Sequence, residues 1–368
     1  AGGCSSGSGS TNSPNKNNAR TASFKMETEV TGNKLPTVGS VDNLISMLLD
    51  MGALYTSNQR NFAADSDDIK SDSAVAEIQD DVDIDTSSES ESSASSTNTQ
   101  VIGVDESDII KTDGDYIYYV SNGQVAIVKA NGIDSKQIGL ISSDNEYISD
   151  IYLCGDKLIA TAIRYERSET DIYSRRNITA YAVYDISNPS APTEYKRIEL
   201  DGNNLSTRLI GNNFYFTANK YIYSPYTSDL AKNPEAILPY YSDSLSSDTS
   251  DYVQPDCIYY LPGDQCETYL YIGAFDVNSD TPCEPTTSIG SGNNLYMSKE
   301  NLYFVREQWN DRNTSTQIYR FAIDGTSVEY AAEGSIDGYV LNQYSMDEYN
   351  DHFRIATTAY DDDWNEYN

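Results

Sequence analysis

From Gln100 onward the chain repeats one short pattern, and that repeat limits the available folds more than any other feature. One half of each unit is a glycine and a polar residue leading into apolar or aromatic positions: Gly114-Asp115-Tyr116-Ile117-Tyr118, Gly155-Asp156-Lys157-Leu158-Ile159, Gly211-Asn212-Asn213-Phe214-Tyr215 and Gly292-Asn293-Asn294-Leu295-Tyr296. A tight turn entering a strand reads this way. The other half is an alternating strand with a polar stop: Gln124–Val128, Tyr181–Ile186, Tyr271–Val277 and Ile318–Asp324. The halves interleave at irregular spacing with no helical period between them. This predicts an all-β chain, a β-propeller of four-stranded antiparallel blades over residues 100–368, with a sandwich as the alternative. Roughly three to four blades are expected, the last beginning at Tyr339–Tyr360. Closure of a propeller takes about four to eight blades, so the domain is expected to be incomplete at its C-terminal end.

Charge divides the remaining chain. There are 57 acidic and 24 basic side chains, a net of -33. Residues 1–64 carry +1, residues 65–99 carry -10 and residues 100–368 carry -24. So acidic a chain repels phosphate backbones and anionic headgroups, which argues against a nucleic-acid partner. Residues 65–99 contain no aromatic residue and too little apolar surface to offset ordering, and are expected to form an acidic disordered linker spanning about 30–35 Å. Within it Asp81, Asp83 and Asp85 alternate like the start of a calcium loop, but Thr86 stands at the glycine position of that motif. Residues 23–64 hold one expected helix, 41–52. Val41, Leu44, Ile45, Leu48 and Leu49 recur at helical spacing, Ser40 can cap the first turn and Gly52 can end it. Its apolar stripe implies packing on the main domain, or a partner.

No stretch reaches the roughly 18 apolar residues of a membrane-spanning helix. Ala1-Gly2-Gly3-Cys4, followed by a Ser-, Gly- and Asn-rich stretch to about residue 22, resembles the end of a bacterial lipobox. The resemblance implies a lipid anchor on Cys4, a flexible tether and an extracytoplasmic, membrane-anchored or secreted location. Four further cysteines, Cys154, Cys257, Cys266 and Cys283, allow disulfides in an oxidising compartment. Cys257 and Cys266 flank the turn signal Leu261-Pro262-Gly263-Asp264 and are the favoured pair, with four buried thiols as the alternative.

Catalytic signals are sparse. His352 is the sole histidine, and no nucleophile elbow, paired-histidine zinc motif or phosphate-cradling glycine loop accompanies it. The Asp105-Glu106-Ser107-Asp108 cluster is the candidate site. Asp105, Glu106 and Asp108 can line the propeller mouth and bind a cation such as calcium or a ligand amine; alternatively they fix a turn through backbone hydrogen bonds, which is the favoured reading.

The run Thr97 to Gly114, with Tyr116-Ile117-Tyr118 after it, resembles the opening motif of a family of secreted β-propeller proteins distantly related to WD40 repeats. Ile272–Asp276 and Asn294–Tyr303 resemble that family too, so the similarity extends from about residue 97 to the end. It implies an extracytoplasmic propeller of bacteria and archaea with no established activity, and hence no catalytic residues to carry over. The function expected is a non-enzymatic surface module, monomeric when full-length, that binds an extracellular protein, peptide or glycan without a cofactor. An extracellular hydrolase using paired carboxylates, with calcium assistance, is the alternative.

Overall fold

The computed structural model describes residues 34–51, 99–167, 175–222, 237–247, 252–261, 267–290, 292, 294–309, 314–360 and 366–367. Cys4, Asp81, Asp83, Asp85, Cys266 and the Asp361–Asp363 run lie outside them.

The first sheet is a meander of β1 (Ile110–Thr112), β2 (Tyr116–Ser121), β3 (Gln124–Lys129) and β4 (Lys136–Ile141). Asn122 and Gly123 join β2 to β3 with φ of 52° and 73°, the left-handed pair of a type I′ hairpin. A side chain at Gly123 would meet the Tyr147 ring at 2.6 Å, so the turn also fixes how closely the next sheet approaches. The second sheet holds β5 (Glu146–Cys154), β6 (Lys157–Arg167), β7 (Arg175–Asp185) and β8 (Thr193–Asp201). The third begins with β9 (Asn203–Ile210) and β10 (Asn213–Tyr221). The chain then returns to the second sheet, where β11 (Tyr241–Asp243) pairs antiparallel with β8, Tyr241 opposite Leu200. The third sheet is completed by β12 (Ile258–Tyr260), β13 (Thr268–Asp276) and β14 (Thr286–Ile289), in the order β9-β10-β13-β14-β12. A fourth sheet runs through β15 (Asn294–Met297), β16 (Asn301–Trp309), β17 (Thr314–Asp324) and β18 (Ser327–Asp337). The hairpins β19 (Met346–Tyr349) with β20 (His352–Ile355), and β21 (Ala359–Tyr360) with β22 (Glu366–Tyr367), follow.

Four sheets and the start of a fifth are therefore present, and among the described residues they do not close into a ring. Three details depart from the sequence expectation. Two sheets have five strands, because β11 and β12 lie in the long excursion after β10 and cover exposed edges. β12 runs parallel to β14, Ile258 opposite Thr287, whereas the other strand pairs among the described residues are antiparallel. Finally, Gly292 opens β15, the first strand of its sheet, whereas Gly114, Gly155 and Gly211 each precede the second; the corresponding turn in the fourth sheet is Ser298-Lys299-Glu300.

Apolar contacts explain the stacking. Tyr118, Val125 and Ile127 of the first sheet pack on Leu158, Ala160 and Ala182 of the second. Tyr181, Val183 and Ile198 of the second meet Phe214, Phe216, Tyr269 and Tyr271 of the third. In β13, Tyr269, Tyr271 and Phe275 face the second sheet while Leu270, Ile272 and Ala274 face Leu295 and Phe304 of the fourth. Both faces of this strand are covered, so nearly every side chain in it is buried. The period-2 geometry of a strand sends alternate residues to the two neighbours.

The helix α1 (Val41–Asp50) starts as expected: the Ser40 hydroxyl accepts a hydrogen bond from Asn43 N–H at 3.1 Å. It ends at Met51, one residue before Gly52. Leu44, Met47 and Leu48 are buried among the residues between the second and third sheets. Met47, absent from the expected stripe, is buried, while Val41, Ile45 and Leu49 of that stripe stay half-buried. Just before the helix, Val38 N–H donates to Ile258 O at 2.9 Å and Thr37 bridges Tyr259 antiparallel. Residues 36–39 thus cover the outer edge of β12, and the helix packs on the propeller, the first of the two outcomes its apolar stripe implied.

Candidate functional site

The acidic cluster crosses from the β9 edge of the third sheet to the β5 edge of the second. Asp105 exchanges backbone hydrogen bonds with Leu209 of β9, at 2.7 and 3.0 Å, and Asp108 with Ile151 of β5, at 3.2 and 2.9 Å. The chain then enters β1. Asp105 Oδ1 accepts from Glu106 N–H at 2.9 Å, and Asp108 Oδ1 from Ile109 N–H at 2.7 Å. The charges have their own partners: Lys111 Nζ lies 3.0 Å from Asp105 and donates to Glu106 O at 2.8 Å, and Arg208 Nη2 lies 3.3 Å from Glu106. Such a segment is a built strand-to-strand crossing, with two of its three carboxylates matched by cations. Among the described residues no group of three Asp, Glu, His or Cys side chains is arranged to hold a metal ion.

Arg208 leads from this cluster to a cleft. Its guanidinium also donates to Ser206 Oγ at 2.7 Å, Thr207 O at 2.7 Å and Gln343 Oε1 at 3.2 Å. The Gln100 amide holds the same turn, donating to Gln343 O and Met346 O at 3.0 and 3.2 Å. Between β9, β15 and this turn lies a cleft of about 330 Å³, with Leu205, Ser206, Asn294, Leu295, Phe304, Asn342 and Tyr344 in its walls. Asn342 Oδ1 accepts from Tyr344 N–H at 2.9 Å, which shapes the turn. Tyr344 is 71% exposed and its neighbour Leu341 77%. A Cβ on Gly292 would stand 2.6 Å from Phe304 Cδ1, so this glycine lets the two backbones meet at the cleft wall.

Sequence reasoning missed this cleft. Asn294 and Leu295 register in the sequence as strand residues after a turn, and Leu205, Ser206 and Tyr344 carry no motif. The segments meet through stacking of the third sheet, the fourth sheet and the hairpin that follows, a juxtaposition with no local signature.

Other expected residues are placed plainly. His352 is an exposed strand-end residue whose Nδ1 lies 2.6 Å from Asn350 O. Cys257 is disulfide-bonded; its expected partner Cys266 lies outside the described residues. Cys154 and Cys283 are free thiols. Burial pushes the Cys283 thiol up to about 12, and burial together with Asp276 and Asp156 raises that of Cys154. Neither is a poised nucleophile. Glu146 and Glu199, a largely enclosed acid pair of the second sheet, are gripped by Arg164 at 3.2 and 2.5 Å and by Arg197 at 3.0 and 3.4 Å.

Comparison with known proteins agrees with the architecture. Residues 94–368 match the family described as Beta propeller domain. An uncharacterized protein of Methanocaldococcus jannaschii is 26% identical over 207 residues, which cover 56% of this chain and 28% of that protein. The chain thus corresponds to under a third of that relative's length. The stacked sheets and the match over most of the sequence lead to one assignment: this chain belongs to the Beta propeller domain family.

Proposed function

We propose that this propeller is a non-enzymatic binding module that recognises an extracellular protein, peptide or glycan in the cleft between β9, β15 and the 342–344 turn. One observation carries the reading. The described walls of the cleft combine apolar Leu205, Leu295 and Phe304 with Ser206, Asn294 and Asn342, and an exposed Tyr344 ring stands beside them. A cleft that mixes apolar with hydrogen-bonding groups can seat a ligand and fix its orientation. No carboxylate is present among the described wall residues, whereas hydrolysis by paired acids needs two in one cleft. The enclosed glutamates of the second sheet are committed to arginines.

The proposed location is extracytoplasmic, with a lipid on Cys4 as anchor. The Ala1-Gly2-Gly3-Cys4 motif supports the anchor, and a disulfide at Cys257 supports an oxidising compartment. The test is a screen of the full chain against glycan and extracellular-peptide arrays, repeated with Tyr344→Ala and Asn342→Ala. Each substitution is expected to weaken the selected ligand at least about tenfold. Ligands that bind both variants as tightly as the wild type would remove the cleft from the account.

A further inference from the structure

The shape of the cleft's backbone says more about its ligand than its side chains do. Along β9, alternate residues direct their N–H and C=O groups away from β10. Leu209 uses its pair for Asp105, and Thr207 offers its carbonyl to the Arg208 guanidinium. Next on that edge comes Leu205, where the ladder slips: Ser206 lies opposite Thr217 and Asn204 opposite Ala218, so Leu205 has no partner on β10. A bulged residue of this kind is left out of its own sheet's pairing. Across the cleft, Ser298 N–H donates to Asn301 O at the turn from β15 to β16. Counting back in twos, Tyr296 and Asn294 pair with β16, and the backbone of Leu295 faces the other side. Two strand edges therefore border the cleft, with Leu205, Leu295 and Phe304 among the residues that line it.

The molecule already fills part of this edge with an extended segment. Asp105 adds to β9 at Leu209, four residues from Leu205, by an antiparallel exchange of two hydrogen bonds. We propose that the ligand is an extended, basic peptide that continues this pairing along β9 at Leu205 and inserts one apolar side chain between Leu205, Leu295, Phe304 and Tyr344. This rests on the recognition reading above and names its ligand class. Main-chain hydrogen bonds supply affinity in strand addition, and the pocket for alternate side chains supplies selectivity. The basic character follows from charge: the chain carries -33, and that field attracts cationic segments and repels acidic ones.

The experiment selects random octapeptides displayed on phage with the full chain, then measures synthetic copies of the enriched sequences. The expected peptides carry an apolar residue flanked by Lys or Arg and weaken with added salt. N-methylation of single backbone amides should weaken binding at least about tenfold at alternate positions only, since a strand turns every second amide toward its neighbour. This ligand-side change leaves the protein's folding untouched. Hydrogen exchange of the segment containing Leu205 should slow when peptide is bound. Peptides indifferent to N-methylation, or no enriched peptide at all, overturn strand addition. If a glycan binds instead and Tyr344→Ala abolishes it, strand addition fails while the recognition cleft stands. If peptides bind equally well to Tyr344→Ala and Leu205→Asp, both readings fail.

Discussion

Arg197 holds three glutamates at once: Glu146 at 3.0 Å, Glu199 at 3.4 Å and Glu194 at 2.7 Å. Glu146 and Glu199 are mostly enclosed, so Arg197→Met leaves carboxylates short of a cation where water is scarce. Removing one partner of a buried pair costs about 3–5 kcal/mol. Because Arg164 still reaches both Glu146 and Glu199, the loss should fall near the lower figure. Thermal melting measures it, and Glu146→Gln added to Arg197→Met should restore part of the stability. Asp185 gives a pH-dependent counterpart. Hydrogen bonds from the Ser187 hydroxyl and N–H, and from Lys157, hold its carboxyl down at about 2. The unfolded value is about 3.9. Its contribution is therefore complete above about pH 4 and is lost as pH falls toward 2. Melting of Asp185→Asn against wild type should show a constant gap at neutral pH that closes below pH 4. A gap that instead widens in acid would contradict this assignment.

At the scale of elements, α1 shows both the reach and the limit of the sequence. Ser40, Leu44 and Leu48 were legible because capping and helical period are local properties. That Met47 is buried while Val41 stays half-buried was not, since it depends on the direction from which the second and third sheets meet the helix. Leu48→Ala should cost about 2–5 kcal/mol, read as a lower denaturation midpoint in urea. No loss would mean that the helix is dispensable to the propeller core. The strands follow the same division. Each alternating half-unit became a strand, because turn chemistry and period-2 patterning act over a few residues. By contrast β11 and β12 are three residues each and owe their existence to edges already built, β8 and β14. The hydrogen bonds from backbone N–H groups to Asp105 and Asp108 were legible as a local property of such residues, but the crossing that bridges β9 and β5 in place of the expected turn was not. Nor were its cations, for Lys111 is six residues away but Arg208 about a hundred.

For the whole molecule the tyrosines report integrity. The chain has 31. Burial, then the charges of Glu194 and Glu146, raises Tyr184 to about 12; burial does the same for Tyr215. Burial also raises Tyr152, Tyr181, Tyr269 and Tyr271, all of which lie in the core between the second and third sheets. A tyrosine near 10 when unfolded and higher when folded stabilises the fold below pH 10, and that contribution fades as pH rises above it. Absorbance at high pH should therefore show the buried rings as a separate group that ionises only together with loss of β circular dichroism. A single smooth titration with retained structure would contradict the buried assignments.

The sequence by itself determined the class of fold, the strand units, the helix and its cap, and the uneven charge, because each rests on contacts within a few residues or on composition alone. The tertiary structure decided which edges β11, β12 and residues 36–39 would cover, how Lys111 and Arg208 would match the acidic crossing, and that Leu205, Leu295 and Tyr344 would border one cleft. Those features depend on the angle and spacing at which successive sheets stack. Such stacking is set by the summed packing of side chains distant in the chain, and no short window of sequence encodes it.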